Sequence, residues 1–183
     1  MTYTVAPTSL DGVVVLHPRT FGDERGFFFE SFNAREFEAV TGVGAPFVQD
    51  NHSRSHRGIL RGLHYQIEQT QGKLVRVLVG EVYDVAVDLR RSSATFGKSV
   101  GVVISAAGKE QLWVPPGFAH GFLVLSDVAE VLYKTTDYWH PEHERVLLWN
   151  DPALGIEWPL EGAPQLVARD AAGVLFDRAE TFP

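Results

Sequence analysis

Tyr83, Val85, Val87 and Leu89 alternate with Asp84, Ala86 and Asp88, the period of two expected of a β-strand whose faces meet different surroundings. Just upstream, residues 74–79 are rich in β-branched side chains, and Gly80-Glu81 divides the two runs as a hairpin turn would. Residues 12–16, 27–32, 58–66, 99–104, 111–114, 121–125 and 130–136 also read as strands. Short strands at regular spacing, with turn signals between them, point to an all-β antiparallel sandwich or barrel. One helix interrupts the pattern. Asn33 can cap it, Glu36 follows three residues on, Phe37 and Val40 form an apolar stripe, and Gly42 ends it. A second short helix or irregular tail is expected after Asp170. Prolines at 152, 159 and 164 make residues 150–164 a loop that wraps the core.

At 183 residues, without repeats or low-complexity linkers, the chain is expected to form one domain over 1–183. A net charge of -7 argues against a nucleic-acid binder. It leaves room for a small anionic ligand held by local arginines. The absence of cysteine excludes disulfides and thiolate chemistry and fits a reducing compartment. The segment from Met1 to Pro7 lacks a charged region followed by a long apolar one, and runs such as Val13-Val14-Val15-Leu16 are too short to cross a bilayer. The expectation is a soluble, cytoplasmic protein with no membrane partner. With no P-loop or G-x-G-x-x-G pattern, any nucleotide would be gripped by strands and loops.

Four polar residues at strand edges stand out: His64, Lys73, His120 and Tyr133. An imidazole, an ammonium and a phenol suffice to remove a proton beside a carbonyl, hold the enolate and return a proton. Each also has a plain alternative. His120 can be a hydrogen-bonded histidine at a strand start, Lys73 a solvated lysine, Tyr133 a packed ring, and Asp170 a helix N-cap rather than the partner that orients His64. Gly108, Pro115, Gly117 and His120 resemble, in loose spacing, the second motif of the cupin superfamily. Metal-binding cupins carry a His-x-His pair where this chain reads His64-Tyr65-Gln66, so no catalytic metal is expected. Arg25, Arg57, Arg61 and Arg169 include candidate diphosphate partners. Arg61 and His64 have opposite parity in a regular strand; a bulge at Gly62, or service to a neighbouring subunit's site, would reconcile them. Glu30, Gln49, Asn51 and Glu144 add hydrogen-bonding groups, and Tyr138 and Trp139 could stack on a base or form an interface.

Taken together, Phe21-Gly22-Asp23-Glu24-Arg25-Gly26-Phe27-Phe28, Gln49-Asp50-Asn51-His52-Ser53, Leu60 to Gln66, Gln71 to Val77, Gly117 to Phe122, Tyr133 to Tyr138 and Trp149-Asn150-Asp151-Pro152 resemble the dTDP-4-dehydrorhamnose 3,5-epimerase family. The resemblance implies a cupin-type jelly-roll homodimer without metal or organic cofactor. Its substrate would be dTDP-4-dehydro-6-deoxy-D-glucose, inverted at C3 and C5. It implies His64 as base, Asp170 as its orienting carboxylate, Tyr133 as acid and Lys73 as the enolate's partner. Arg25, Glu30, Gln49, Asn51, Arg61, His120, Glu144 and Arg169 would contact substrate, with Tyr138 and Trp139 near the base. The family often has tyrosine at the Trp139 position and lysine at the Arg169 position. The rivals are a single-centre 3- or 5-epimerase of an antibiotic-sugar pathway, a non-catalytic sugar-nucleotide binding module, and a metal-dependent cupin oxygenase or isomerase.

Overall fold

A computed structural model describes residues 3–183. Two antiparallel sheets face each other in a jelly roll. The six-stranded sheet runs β1 (Tyr3–Pro7), β2 (Val14–Pro18), β10 (Gln111–Val114), β7 (Lys73–Val79), β12 (Val128–Thr135) and β5 (Gln49–His56). The five-stranded sheet runs β13 (Glu144–Val146), β6 (Leu60–Gln66), β11 (Phe118–Val124), β8 (Glu81–Asp88) and β9 (Ser99–Ser105). A separate hairpin pairs β3 (Thr20–Asp23) with β4 (Gly26–Phe29).

The alternation in β8 now has a direction. Val82 and Ala86 point between the sheets, against Val75, Leu112, Phe122 and Val131. Val85, Val87 and Leu89 point the other way, onto Leu147, Leu154, Trp158, Phe176 and Phe182 of the C-terminal segment. That segment covers the five-stranded sheet, as expected of the loop at 150–164, with short 3-10 turns at Pro152–Leu154 and Phe176–Arg178. The outer face of the six-stranded sheet is covered by α1 (Ala34–Thr41), whose Phe37 meets Trp113 at 5.2 Å between ring centroids. Asn33 accepts from the Glu36 amide and Gly42 takes the left-handed conformation, so both caps lie where the sequence places them.

Several expectations move. Strand 27–32 shortens to Gly26–Phe29, because Glu30 to Asn33 form the approach to the helix cap. Strand 121–125 lengthens backwards to Phe118, since Gly117 alone makes the turn after Pro116. The strand at 58–66 begins at Leu60. β5 was not expected at all: Gln49, Asn51, Ser53 and Ser55 alternate with exposed Asp50, His52, Arg54 and His56, a period of two written without one apolar residue. The short helix α2 (Ala168–Ala171) begins before Asp170 rather than after it.

The feature that shapes the interior is a bulge. His120 pairs with His64, and Phe122 pairs with Arg61, so three steps on β6 oppose two on β11. Gly62 and Gly121 face each other there, and a Cβ on Gly62 would lie 2.5 Å from the Gly121 Cα. The extra residue turns Arg61 onto the same face as His64, which resolves their opposite parity in favour of a bulge.

Candidate active site

A cavity of about 300 Å³ opens between the sheets, lined from one wall by Arg61, His64 and His120 and from the other by Gln49, Asn51, Lys73 and Tyr133. Glu144, Trp139 and Arg169 complete its rim. Ten of the residues singled out from the sequence therefore converge.

His64 sits on β6 with Nε2 2.8 Å from Oδ1 of Asp170. Asp170 is buried in α2 and its other oxygen accepts from the Gly62 amide at 3.1 Å. This overturns the N-cap alternative: the cap of α2 is Val167, which makes no side-chain cap bond, and Asp170 reaches across to the bulged strand. Burial pushes the Asp170 carboxyl up, but the bond to His64, its charge, the Gly62 amide and Arg169 outweigh this and hold it below the usual range. A carboxylate so held fixes the orientation of the ring.

Lys73 is buried, not solvated, and its Nζ donates to the His64 carbonyl at 3.1 Å. Burial lowers its ammonium to about 8, with Glu144 and Asp84 opposing the shift. Tyr133, on β12, packs against the inter-sheet core, and burial raises its phenol, which Arg61 partly offsets. A phenol shifted upward stays protonated at neutral pH and can act as a donor.

His120 is the cross-strand neighbour of His64, and its Nε2 lies 2.7 Å from Oδ1 of fully buried Asp84. The two imidazoles stand side by side, each backed by a carboxylate. Asp84 was missed in the sequence. The signal was there: a carboxylate sharing the inward parity of Ala86 must be partnered or shift its protonation. Its Oδ2 is buried without a hydrogen-bond partner among the described residues, facing the field of Lys73. At the positions where metal-binding cupins place imidazoles, His64 and His120 each bond a carboxylate and Gln66 bonds backbone.

The remaining residues divide. Arg61 donates to Ser55 at 3.0 Å, Gln49 to Asn51 at 2.9 Å, and Arg169 pairs with Glu144. Tyr138 is exposed beside Trp139 but does not line the cavity. Arg25 and Glu30 lie outside it. Arg25 occupies the tip of the β3–β4 hairpin, which belongs to neither sheet, and is paired to Asp23 and almost wholly exposed. Arg57 pairs with Asp127 at 3.1 Å, away from the cavity.

An imidazole held by a carboxylate, facing a phenol across a cavity with an ammonium inside, is an arrangement able to move a proton at carbon. Fold and site define an acid–base isomerase on a cupin jelly roll. Similarity takes this further. The family model for dTDP-4-dehydrorhamnose 3,5-epimerase matches residues 7–178. The enzyme of that name from Pseudomonas aeruginosa is 62% identical over 175 residues, 96% of this chain and 97% of its own. A crystal structure of the Legionella pneumophila enzyme RmlC, in complex with dTDP-4-keto-L-rhamnose, superposes with a TM-score of 0.95 at 53% identity, covering 97% of this chain and 95% of that one. ChmJ, a 3'-monoepimerase from Streptomyces bikiniensis, in complex with dTDP-quinovose, is more distant, at 34% identity and a TM-score of 0.88 over 93% and 87% of the two chains. The chain belongs to the dTDP-4-dehydrorhamnose 3,5-epimerase family.

The lowered Lys73 has a measurable consequence. In the unfolded chain it titrates near its ordinary value of 10.5, so between about 8 and 10.5 the unfolded state binds more protons and stability rises with pH. Lys73→Met removes that dependence. In denaturant titrations the variant should exceed wild type in stability most at pH 7, and the gap should narrow as pH rises through 8 toward 10. A gap independent of pH contradicts the burial of a charged amine.

Proposed function

We propose that the protein inverts C3 and C5 of dTDP-4-dehydro-6-deoxy-D-glucose, giving dTDP-4-dehydro-L-rhamnose. The C4 ketone acidifies the C–H bonds on both neighbouring carbons, so one site can serve both. His64 takes the proton from carbon; the electron pair moves into the ring and onto the C4 oxygen, forming an enolate. The Lys73 ammonium, buried where its charge is little screened, stabilises that oxygen. Tyr133 then donates its phenolic proton to the carbon from the opposite face, inverting it, and solvent restores both groups. His120, held by Asp84, and Arg61, Gln49, Asn51, Glu144 and Arg169 position the sugar and its diphosphate.

The observation that carries this reading is the placement of acid and base on opposite walls: His64 on β6 of the five-stranded sheet and Tyr133 on β12 of the six-stranded one, lining one cavity. High identity to the Pseudomonas aeruginosa 3,5-epimerase favours inversion of both carbons over the single inversion of ChmJ.

The working unit of this reading is a homodimer in the cytoplasm. No described helix is long and apolar enough to cross a membrane. Phe21, Phe27 and Phe28 are exposed on the β3–β4 hairpin, an apolar surface that a second copy would cover. The same hairpin carries Arg25, and a partner chain would deliver it to the neighbouring cavity as a diphosphate ligand. Glu30 follows β4 and would travel with it.

Turnover in deuterated water tests the chemistry. Wild type should place one deuteron at C3 and one at C5, and His64→Ala should abolish both while dTDP still binds. Label at one carbon only supports a single-centre epimerase, and near wild-type exchange by His64→Ala removes the base assignment. The dimer makes a separate prediction. Arg25→Ala and His64→Ala should each be impaired alone, yet heterodimers of the two should regain about half of wild-type turnover, since one site is then complete. Heterodimers as impaired as the parents would place Arg25 in its own chain's site.

A further inference from the structure

The cavity's aromatic rim is a loop, and loops of this kind are mobile unless something ties their backbone down. Residues 137–140, which carry Tyr138 and Trp139, are tied by three glutamines from three places in the fold. Gln71 donates to the Asp137 carbonyl at 3.0 Å, and Gln49 accepts from the Trp139 amide at 3.1 Å. Gln66 does most. Its Nε2 donates to the Tyr138 carbonyl at 3.2 Å and to the Gln69 carbonyl at 2.8 Å, while Oε1 accepts from the His140 amide at 2.8 Å.

Gln66 is buried and lies two residues beyond His64 on the same strand face, yet it does not line the cavity. One of its amide hydrogens and one acceptor site are spent on backbone on either side of Trp139, and the other hydrogen ties the amide to the Gln69 carbonyl. We infer that Gln66 is a positioning residue for ligand binding, locking the Trp139 indole at a fixed distance from His64 so that the cavity accepts a nucleoside diphosphate sugar of one length. No other natural side chain makes all three bonds. Glutamate can accept from His140 but cannot donate to two carbonyls, asparagine is too short, and histidine lacks two donors on one nitrogen. The inference rests on the nucleotide-sugar reading above, and it gives the glutamine that stands in place of a metal-ligating imidazole a task of its own.

The test is a double-mutant cycle read by dTDP affinity, with steady-state kinetics alongside. Gln66→Met keeps length and volume but makes none of the three bonds. It should weaken dTDP binding and raise KM about tenfold, with a smaller effect on kcat. Trp139→Ala should weaken dTDP binding comparably, and the double variant should be little worse than either single one, because the glutamine acts through the indole. Gln66→Glu, a second route should the methionine variant fail to fold, should shift affinity in the same direction. Additive losses in the double variant, or wild-type dTDP affinity in either folded Gln66 variant, overturn the inference alone. A wild-type protein that binds no dTDP overturns the nucleotide-sugar reading together with it.

Discussion

A single buried carboxylate joins the two parts of the chain that make the site. Asp170 comes from a four-residue helix near the C-terminus, yet its oxygens bond the ring of His64 and the amide of Gly62 on a central strand. The contact does two things at once. It satisfies a buried amide left over by the bulge, and it orients the imidazole that the bulge has brought beside Arg61. Such a charge-assisted pair is strong where water is scarce and costly to leave half-made. The position of the C-terminal segment over the five-stranded sheet therefore helps build the cavity wall, because only a docked α2 delivers the carboxylate.

The site follows the logic of a sandwich with one polar end. Between the sheets the core is aliphatic, built from residues such as Val75, Ala86, Leu112 and Val131. Toward the cavity the same inward-facing rows turn polar: Val75 gives way to Lys73 and Val131 to Tyr133, while Asp84, set between Val82 and Ala86, backs His120. Strand periodicity that elsewhere buries hydrocarbon here aims functional groups at a shared space. The same period explains why Tyr133 and His64 face each other, since each sheet presents its inner face to the other.

Much of this was legible in the sequence, and the reasons for the gaps are physical. Strands with an apolar face, such as β8 and β10, announce themselves, as does α1 with both caps written out. β5 does not, because its inward face is Gln49, Asn51 and Ser53, which line the cavity rather than the core. The polarity that makes it functional hides it from a hydrophobic pattern. His64, Lys73 and Tyr133 were found through the wording around them, whereas Asp84 was passed over as one member of an alternation. The Asp170–His64 contact spans 106 positions of chain and no local signal encodes it. Arg25 sits at the tip of the β3–β4 hairpin and Glu30 just after it, both outside the cavity, and no local signal in the sequence announces that placement.

The central claim is that His64 removes the proton from carbon because Asp170 holds its ring. Asp170→Asn tests it most directly, since the amide keeps the shape and the Gly62 contact but withdraws the negative charge and the acceptor that fix the imidazole. Loss of an orienting carboxylate in this role typically costs a factor on the order of 10²–10⁴ in turnover. Solvent deuterium incorporation by the variant should fall within that range while dTDP affinity stays at the wild-type value. Exchange at near wild-type rate, in a protein that still folds, would contradict the account.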